Sequence, residues 1–145
     1  MIREQYVSFE TAKLLKEKGF DEICYTWYTK RGKFHIGTHN DDYFVNHFSD
    51  LHTWKDKGQC SAPTQALAMR WLREIHKIQF SIQPCVASAA AEYYGISYYL
   101  QFYQWCEDIN SYVGWHTLPC LHKEFYNNYE EACETAIKYC LENLI

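Results

Sequence analysis

Ser61-Ala62-Pro63-Thr64-Gln65-Ala66-Leu67-Ala68-Met69-Arg70-Trp71-Leu72-Arg73-Glu74-Ile75-His76-Lys77-Ile78 is the clearest helical stretch of the 145-residue chain, and it separates two aromatic, strand-like regions. Ser61 is placed to accept a hydrogen bond from a first-turn amide. Pro63 suits that turn, where a missing N–H costs no intrahelical bond. Leu67, Trp71, Ile75 and Ile78 recur at helical spacing, flanked by Ala68 and Leu72, which predicts an apolar stripe wide enough to bury on a sheet. Arg70, Arg73, Glu74 and Lys77 form the opposite, solvated face.

Towards the N-terminus, Ser8 reads as the cap of a first helix, with Glu10 in its first turn and Phe9, Ala12, Leu15 and Lys16 at helical spacing. Lys13, Lys16 and Lys18 gather towards its end, Gly19 can close it in the left-handed conformation, and Phe20 returns to the core. Ile23-Cys24-Tyr25-Thr26-Trp27-Tyr28-Thr29 is β-branched and aromatic, and Lys30-Arg31-Gly32-Lys33 turns it into Phe34-His35-Ile36, a hairpin with a cationic tip. Residues 43–48 read as a short strand, and residues 49–59 as a loop carrying His52, Trp54, Lys55 and Lys57.

Towards the C-terminus, Phe80 and Ile82 alternate with Ser81 and Gln83 until Pro84, which confines that strand to an edge or ends it. A brief helical or irregular link is expected over 88–92. Residues 93–105 form the strongest strand: Tyr94, Ile96, Tyr98, Leu100 and Phe102 on a core face, Ser97, Tyr99, Gln101 and Tyr103 on the other. A solvated face would ordinarily carry charges, so Tyr99, Tyr103 and the adjacent Trp105 stand out. Residues 112–118 are expected to pair back on it before Pro119. Asn128 caps a last helix with Glu130 and Glu131 in its first turn and a buried stripe of Cys133, Ile137, Cys140, Leu141 and Leu144. The expected fold class is α+β: an antiparallel, aromatic-rich β-sheet packed against three helices at about 8–18, 62–78 and 129–144, in one compact domain, 1–145.

Composition bounds the function. Hydrophobic content of 48% excludes a disordered chain, and the longest apolar run, 85–91, is too short for a membrane span. Met1-Ile2-Arg3-Glu4-Gln5 lacks the apolar core of a secretion signal. Seven cysteines without a Cys-x-x-Cys pair fit a reducing compartment, so a cytoplasmic location is expected. A net charge of -4 disfavours duplex nucleic acid as a partner. Aromatic residues make up 18% of the chain, with 13 tyrosines against 8 phenylalanines, and tyrosine tolerates half-burial because its hydroxyl can reach water or a partner.

Three pieces of sequence stand together: Tyr6-Val7-Ser8-Phe9-Glu10-Thr11-Ala12-Lys13-Leu14-Leu15-Lys16-Glu17-Lys18-Gly19-Phe20; Ser61-Ala62-Pro63-Thr64 with Met69-Arg70-Trp71-Leu72-Arg73-Glu74; and Tyr129-Glu130-Glu131-Ala132 running to Ile137-Lys138-Tyr139-Cys140-Leu141-Glu142-Asn143-Leu144-Ile145. As a set they resemble a family of small, mostly uncharacterised proteins encoded by phages and prophage-like elements of gut bacteria. The resemblance covers the three helices. It implies a mobile-element context and carries no catalytic motif.

His35, His39, His47 and His52 are close in sequence, but their spacing matches no zinc pattern, so no metal and no cofactor is expected. Neither a glycine-rich phosphate loop nor a Gly-x-Ser-x-Gly elbow is present, and no catalytic residue is assigned. The candidate ligand-binding residues are Trp27, Tyr28, Lys30, Arg31, Lys33, Trp54, Lys55, Tyr99, Tyr103 and Trp105. Rings stack on bases while cations hold phosphates, which suits a small, anionic, nucleotide-like ligand. The expected function is a non-enzymatic phage-type binding protein that sequesters a nucleotide-like host immune signal. The alternative is a protein-interaction module whose tyrosine-rich sheet face docks a host protein or a second copy of the chain.

Overall fold

The computed structural model describes residues 3–38, 43–46, 58–85, 97–116 and 126–145. They group into two compact units, Met1–Ala68 with Leu141–Ile145 and Met69–Cys140. Along the chain run α1 (Phe9–Glu17), β1 (Thr26–Tyr28), β2 (Phe34–Ile36), β3 (Cys60–Ser61), α2 (Gln65–Ile75), β4 (Ile78–Cys85), β5 (Ser97–Cys106), β6 (Ser111–His116) and α3 (Tyr129–Asn143). The fold is α+β, with three helices among the described residues and antiparallel, aromatic-rich strands as the sequence predicts. The strands divide between two three-stranded sheets, β2-β1-β3 and β4-β5-β6.

In the first unit, Ser8 Oγ accepts from Thr11 N at 3.2 Å, so the expected cap forms, and α1 buries Thr11, Ala12 and Leu15. Gly19 closes it at φ +88, which only glycine adopts without a steric cost, and Phe20 is fully buried. The hairpin pairs Thr26 with Ile36, Trp27 with His35 and Tyr28 with Phe34. Its turn is held by Gly32 N donating to Thr29 O at 2.8 Å and Thr29 N to Lys33 O at 2.9 Å. The short β3 adds Ser61 opposite Trp27 and Cys60 opposite Tyr28. Of the strand expected over 43–48, only a Cys24–Phe44 bridge forms among the described residues. Asn46 beside it is fully buried; its Nδ2 donates to Phe20 O at 2.6 Å and its Oδ1 accepts from Ser61 N at 2.8 Å.

That pairing corrects the start of the central helix. Ser61 is a strand residue, and Ala62, preceding Pro63, is biased away from helical geometry, so α2 begins at Gln65. The cap is Thr64, whose Oγ1 accepts from Leu67 N at 3.2 Å. The buried stripe is Gln65, Ala68, Trp71 and Leu72. Ile75, expected in it, lies in the last turn and is 60% exposed. From there the chain reverses through Lys77, at φ +56, so that Ile78 opens β4 instead of extending the helix. Arg70 and Glu74 form an exposed ion pair at 2.9 Å one turn apart.

In the second unit, β5 pairs with β4 from Gln104–Ile78 to Ser97–Cys85 and with β6 from Gln101–His116 to Cys106–Ser111. Pro84 lies on the outer strand β4, as its missing N–H requires. Opposite it, Tyr98 sends both its backbone bonds the other way, exchanging them with Tyr126 at 2.8 Å each, so the proline interrupts no bond to β5. Ile78, Phe80, Leu100 and Phe102 are buried on one face. Tyr139 of α3 packs its ring 5.3 Å from Phe102, and Tyr129 stands edge-on to Tyr98 at 6.0 Å. The helix is capped by Asn128, whose Oδ1 accepts from Glu131 N at 2.7 Å, and it buries Ala132, Cys133, Ala136, Ile137, Cys140 and Leu141. Among the described residues no helix is long and apolar enough to cross a membrane.

Candidate functional site

The predicted binding residues fall in two separate places. Trp27, Tyr28, Lys30, Arg31 and Lys33 belong to the first unit, and Tyr99, Tyr103 and Trp105 to the second. Trp54 and Lys55 lie outside the described residues, as do His39, His47 and His52 of the histidine cluster.

In the first unit, alternation along β1 sends neighbouring rings to opposite faces. Tyr28 belongs to the packing: its ring lies 5.4 Å from both Phe9 and Phe34, and its hydroxyl donates to Val7 O at 2.8 Å. Trp27 points the other way and remains half-buried, near-parallel to His35 at 5.8 Å and to Phe44 at 6.2 Å.

The cationic tip is larger than the sequence shows, because α1 joins it. Gly32, at φ +80, brings the turn down on the Phe9 ring; a Cβ there would stand 3.0 Å from Phe9 Cδ1. Over that same ring lies Lys13 Nζ, 4.7 Å from its centroid. Lys16 Nζ donates to Gln59 O at 2.8 Å, and the stem of Lys30 runs past neighbouring Gly58, its Cγ 3.5 Å from where a Cβ would be. Lys13 and Lys16 thus join Lys30, Arg31 and Lys33 around Gly32 and Gly58. Among the described residues, none of Lys13, Lys30, Arg31 and Lys33 is held in an ion pair, although Glu10 and Glu17 share the helix. The sequence reading missed the two α1 lysines by assigning them to the helix dipole. Their three-residue spacing, which puts both on one side of the helix, was the available signal.

In the second unit, Tyr99, Gln101, Tyr103 and Trp105 share the face of β5 turned away from Leu100 and Phe102. Register adds Gln79, Ser81 and Gln83 from β4 and Tyr112 and Gly114 from β6. Tyr103 lies across Gly114, and Trp105 stands edge-on to Tyr112 at 5.2 Å. Tyr99 and Tyr103 are half-buried while Trp105 and Tyr112 are exposed. No charged residue occurs in this set. Tyr112, absent from the sequence prediction, enters only through the pairing of β6.

Cys24, Cys60, Cys133 and Cys140 are buried, free thiols. Burial pushes the Cys24, Cys133 and Cys140 thiols up to about 12. Burial also takes Cys60 to about 11, against the pull of the nearby Lys16 and Lys13 charges. All four are protonated at neutral pH, and the thiolate is the reactive form. The Ser61 hydroxyl favours the Cys24 thiolate without reversing its shift, and Ser61 Oγ makes no hydrogen bond of ordinary geometry. Among the described residues no group of three or more metal-ligating side chains comes together. No family model, curated protein or solved structure matches the chain.

Proposed function

We propose that the chain is a binding protein for a small, phosphate-bearing, nucleotide-type anion, taken at the cationic end of the first unit. In the mobile-element setting that the sequence resemblance implies, its role is to withdraw such a signal from a host defence system in the bacterial cytoplasm. The reading rests on one observation above the others: Lys13, Lys30, Arg31 and Lys33 gather about the turns at Gly32 and Gly58 and, among the described residues, carry no counter-charge in an ion pair. Cations outside an ion pair lose no such bond when an anion arrives. Trp27, half-buried and stacked near His35 on the same hairpin, offers a ring for a base.

Thermal-shift measurements with cyclic nucleotides and ADP-ribose derivatives test it. At a concentration a hundred times its Kd, a ligand adds about 2.7 kcal/mol of stability. The stabilising ligand is expected back intact after incubation, and the combined Lys30→Gln, Arg31→Gln, Lys33→Gln variant is expected to lose the shift. No shift with any of these compounds overturns the proposal.

A second reading, docking of a host protein on the tyrosine-rich sheet face, draws on the uncharged set around Tyr99, Tyr103 and Trp105. Interface cores are depleted in charge and enriched in tyrosine and tryptophan. Loss of a captured host protein from the Tyr99→Ala, Tyr103→Ala double variant supports that reading, and unchanged capture removes it.

A further inference from the structure

We infer that β6 is a self-pairing edge through which two copies of this chain join their sheets, independently of any ligand. In the order β4-β5-β6 both outer strands are edges among the described residues, and they differ in how they are protected. Edges are commonly blunted by a proline, a charge or a bulge. Strand β4 carries Pro84, whereas Ser111-Tyr112-Val113-Gly114-Trp115-His116 has neither proline, acidic residue, lysine nor arginine, and its pairing with β5 runs without a bulge.

The backbone alternation of β5 fixes which groups of β6 point outward. Trp105 N donates to Lys77 O, on the β4 side, and Tyr98 bonds Tyr126 on the opposite side. Trp105–Tyr112 and Tyr103–Gly114 are therefore non-hydrogen-bonded pairs, and Tyr112 and Gly114 turn their N–H and C=O groups away from β5. Among the described residues those outward groups meet no partner, and both residues are exposed.

A second copy fits this edge in one antiparallel register. Setting Tyr112 opposite the partner's Gly114, and the reverse, satisfies every one of those groups and places Val113 against the partner's Val113 on the two-fold axis. Val113, 43% exposed, loses that exposure against its own copy. Two-fold pairing sets each residue near its equivalent, so a strand without fixed charge pairs with itself free of repulsion. The acidic turn of Glu107 and Asp108 goes to opposite ends of the joined sheet, which at six strands is of ordinary width.

Light scattering on the wild-type chain is expected to give twice the 17.3 kDa mass. Val113→Lys sets two ammonium groups together on the axis and is expected to return a single-chain mass. Mixing it with Val113→Glu is expected to restore a dimer, which a folding defect in either variant would not do. Hydrogen exchange supplies an independent reading, with the Tyr112 and Gly114 amides slow in the wild type. A single-chain mass at every wild-type concentration overturns the inference, as does a Val113→Lys dimer or fast exchange at those two amides.

Discussion

Tyr103 lies flat across Gly114 on the neighbouring strand, so close that a Cβ on Gly114 would stand 2.8 Å from Tyr103 Cε1 and 2.9 Å from Cδ1. The pair sits at a non-hydrogen-bonded position, where side chains of adjacent strands approach most closely. Gly114→Ala is therefore expected to force the ring out of place and to cost about 1 to 3 kcal/mol, as overpacking typically does. Urea denaturation measures this, and an unchanged midpoint removes the role given to the glycine.

The start of α2 separates two serine/threonine positions that look alike in sequence. Thr64→Ala removes the hydroxyl that accepts from Leu67 N, and a loss of about 1 kcal/mol is expected. Ser61→Ala deletes a buried oxygen that makes no hydrogen bond of ordinary geometry, so stability is expected to stay level or rise. The reverse order in thermal melts contradicts the capping assignment.

Asn46 joins two segments by donating to Phe20 O and accepting from Ser61 N, all in a fully buried setting. Asn46→Ala removes both bonds from a buried site, at about 1 to 3 kcal/mol for a buried polar group that loses its bond. Asn46→Asp keeps an acceptor for Ser61 but sets a carboxylate against the Phe20 carbonyl, so it is expected to be no better tolerated. Equilibrium unfolding of both variants checks this, and wild-type stability in either one refutes the bridge.

Alkaline titration reads the buried thiols. Unfolded cysteines ionise near 9, whereas Cys24, Cys133 and Cys140 are held near 12 and Cys60 near 11. Above pH 9 the folded state holds protons that the unfolded state has released, so stability is whole below that pH and falls as pH rises towards 11 and 12. Denaturant midpoints are expected to decline over that window, and thiol labelling of these four residues is expected to need unfolding. A flat profile from pH 8 to 11 contradicts their burial.

Tyr28→Phe separates packing from recognition in the first unit. Its hydroxyl bonds Val7 O, so its loss is expected to cost about 1 kcal/mol while leaving ligand-induced thermal shifts in place. Trp27→Ala is expected to reduce those shifts. Equal effects of the two changes on binding contradict the assignment of the two rings to opposite faces.

Local chemistry made much of this chain legible. Ser8 and Asn128 cap helices because a short polar side chain before an amphipathic run has free amides within reach. The hairpin around Gly32, the outer position of the Pro84 strand and the burial of Leu100 and Phe102 follow equally from turn chemistry and two-residue alternation. These rules act within a few residues, so the sequence carries them whole.

What the tertiary structure decided depends on partners distant in the chain. Ser61 is a strand residue and not a cap because Trp27 pairs with it, and Ile78 leaves the helical pattern because Gln104 lies opposite it. Only folding sets Lys16 of α1 at Gln59, next to Lys30 at Gly58, and Lys13 over the ring on which Gly32 packs, and only the register of β6 lays Gly114 under Tyr103 and turns Tyr112 outward. Sequence determined which segments are helix or strand through the spacing of their apolar residues. Which of those segments meet, and therefore which cations and rings share a surface, is set by long-range pairing that no local pattern encodes.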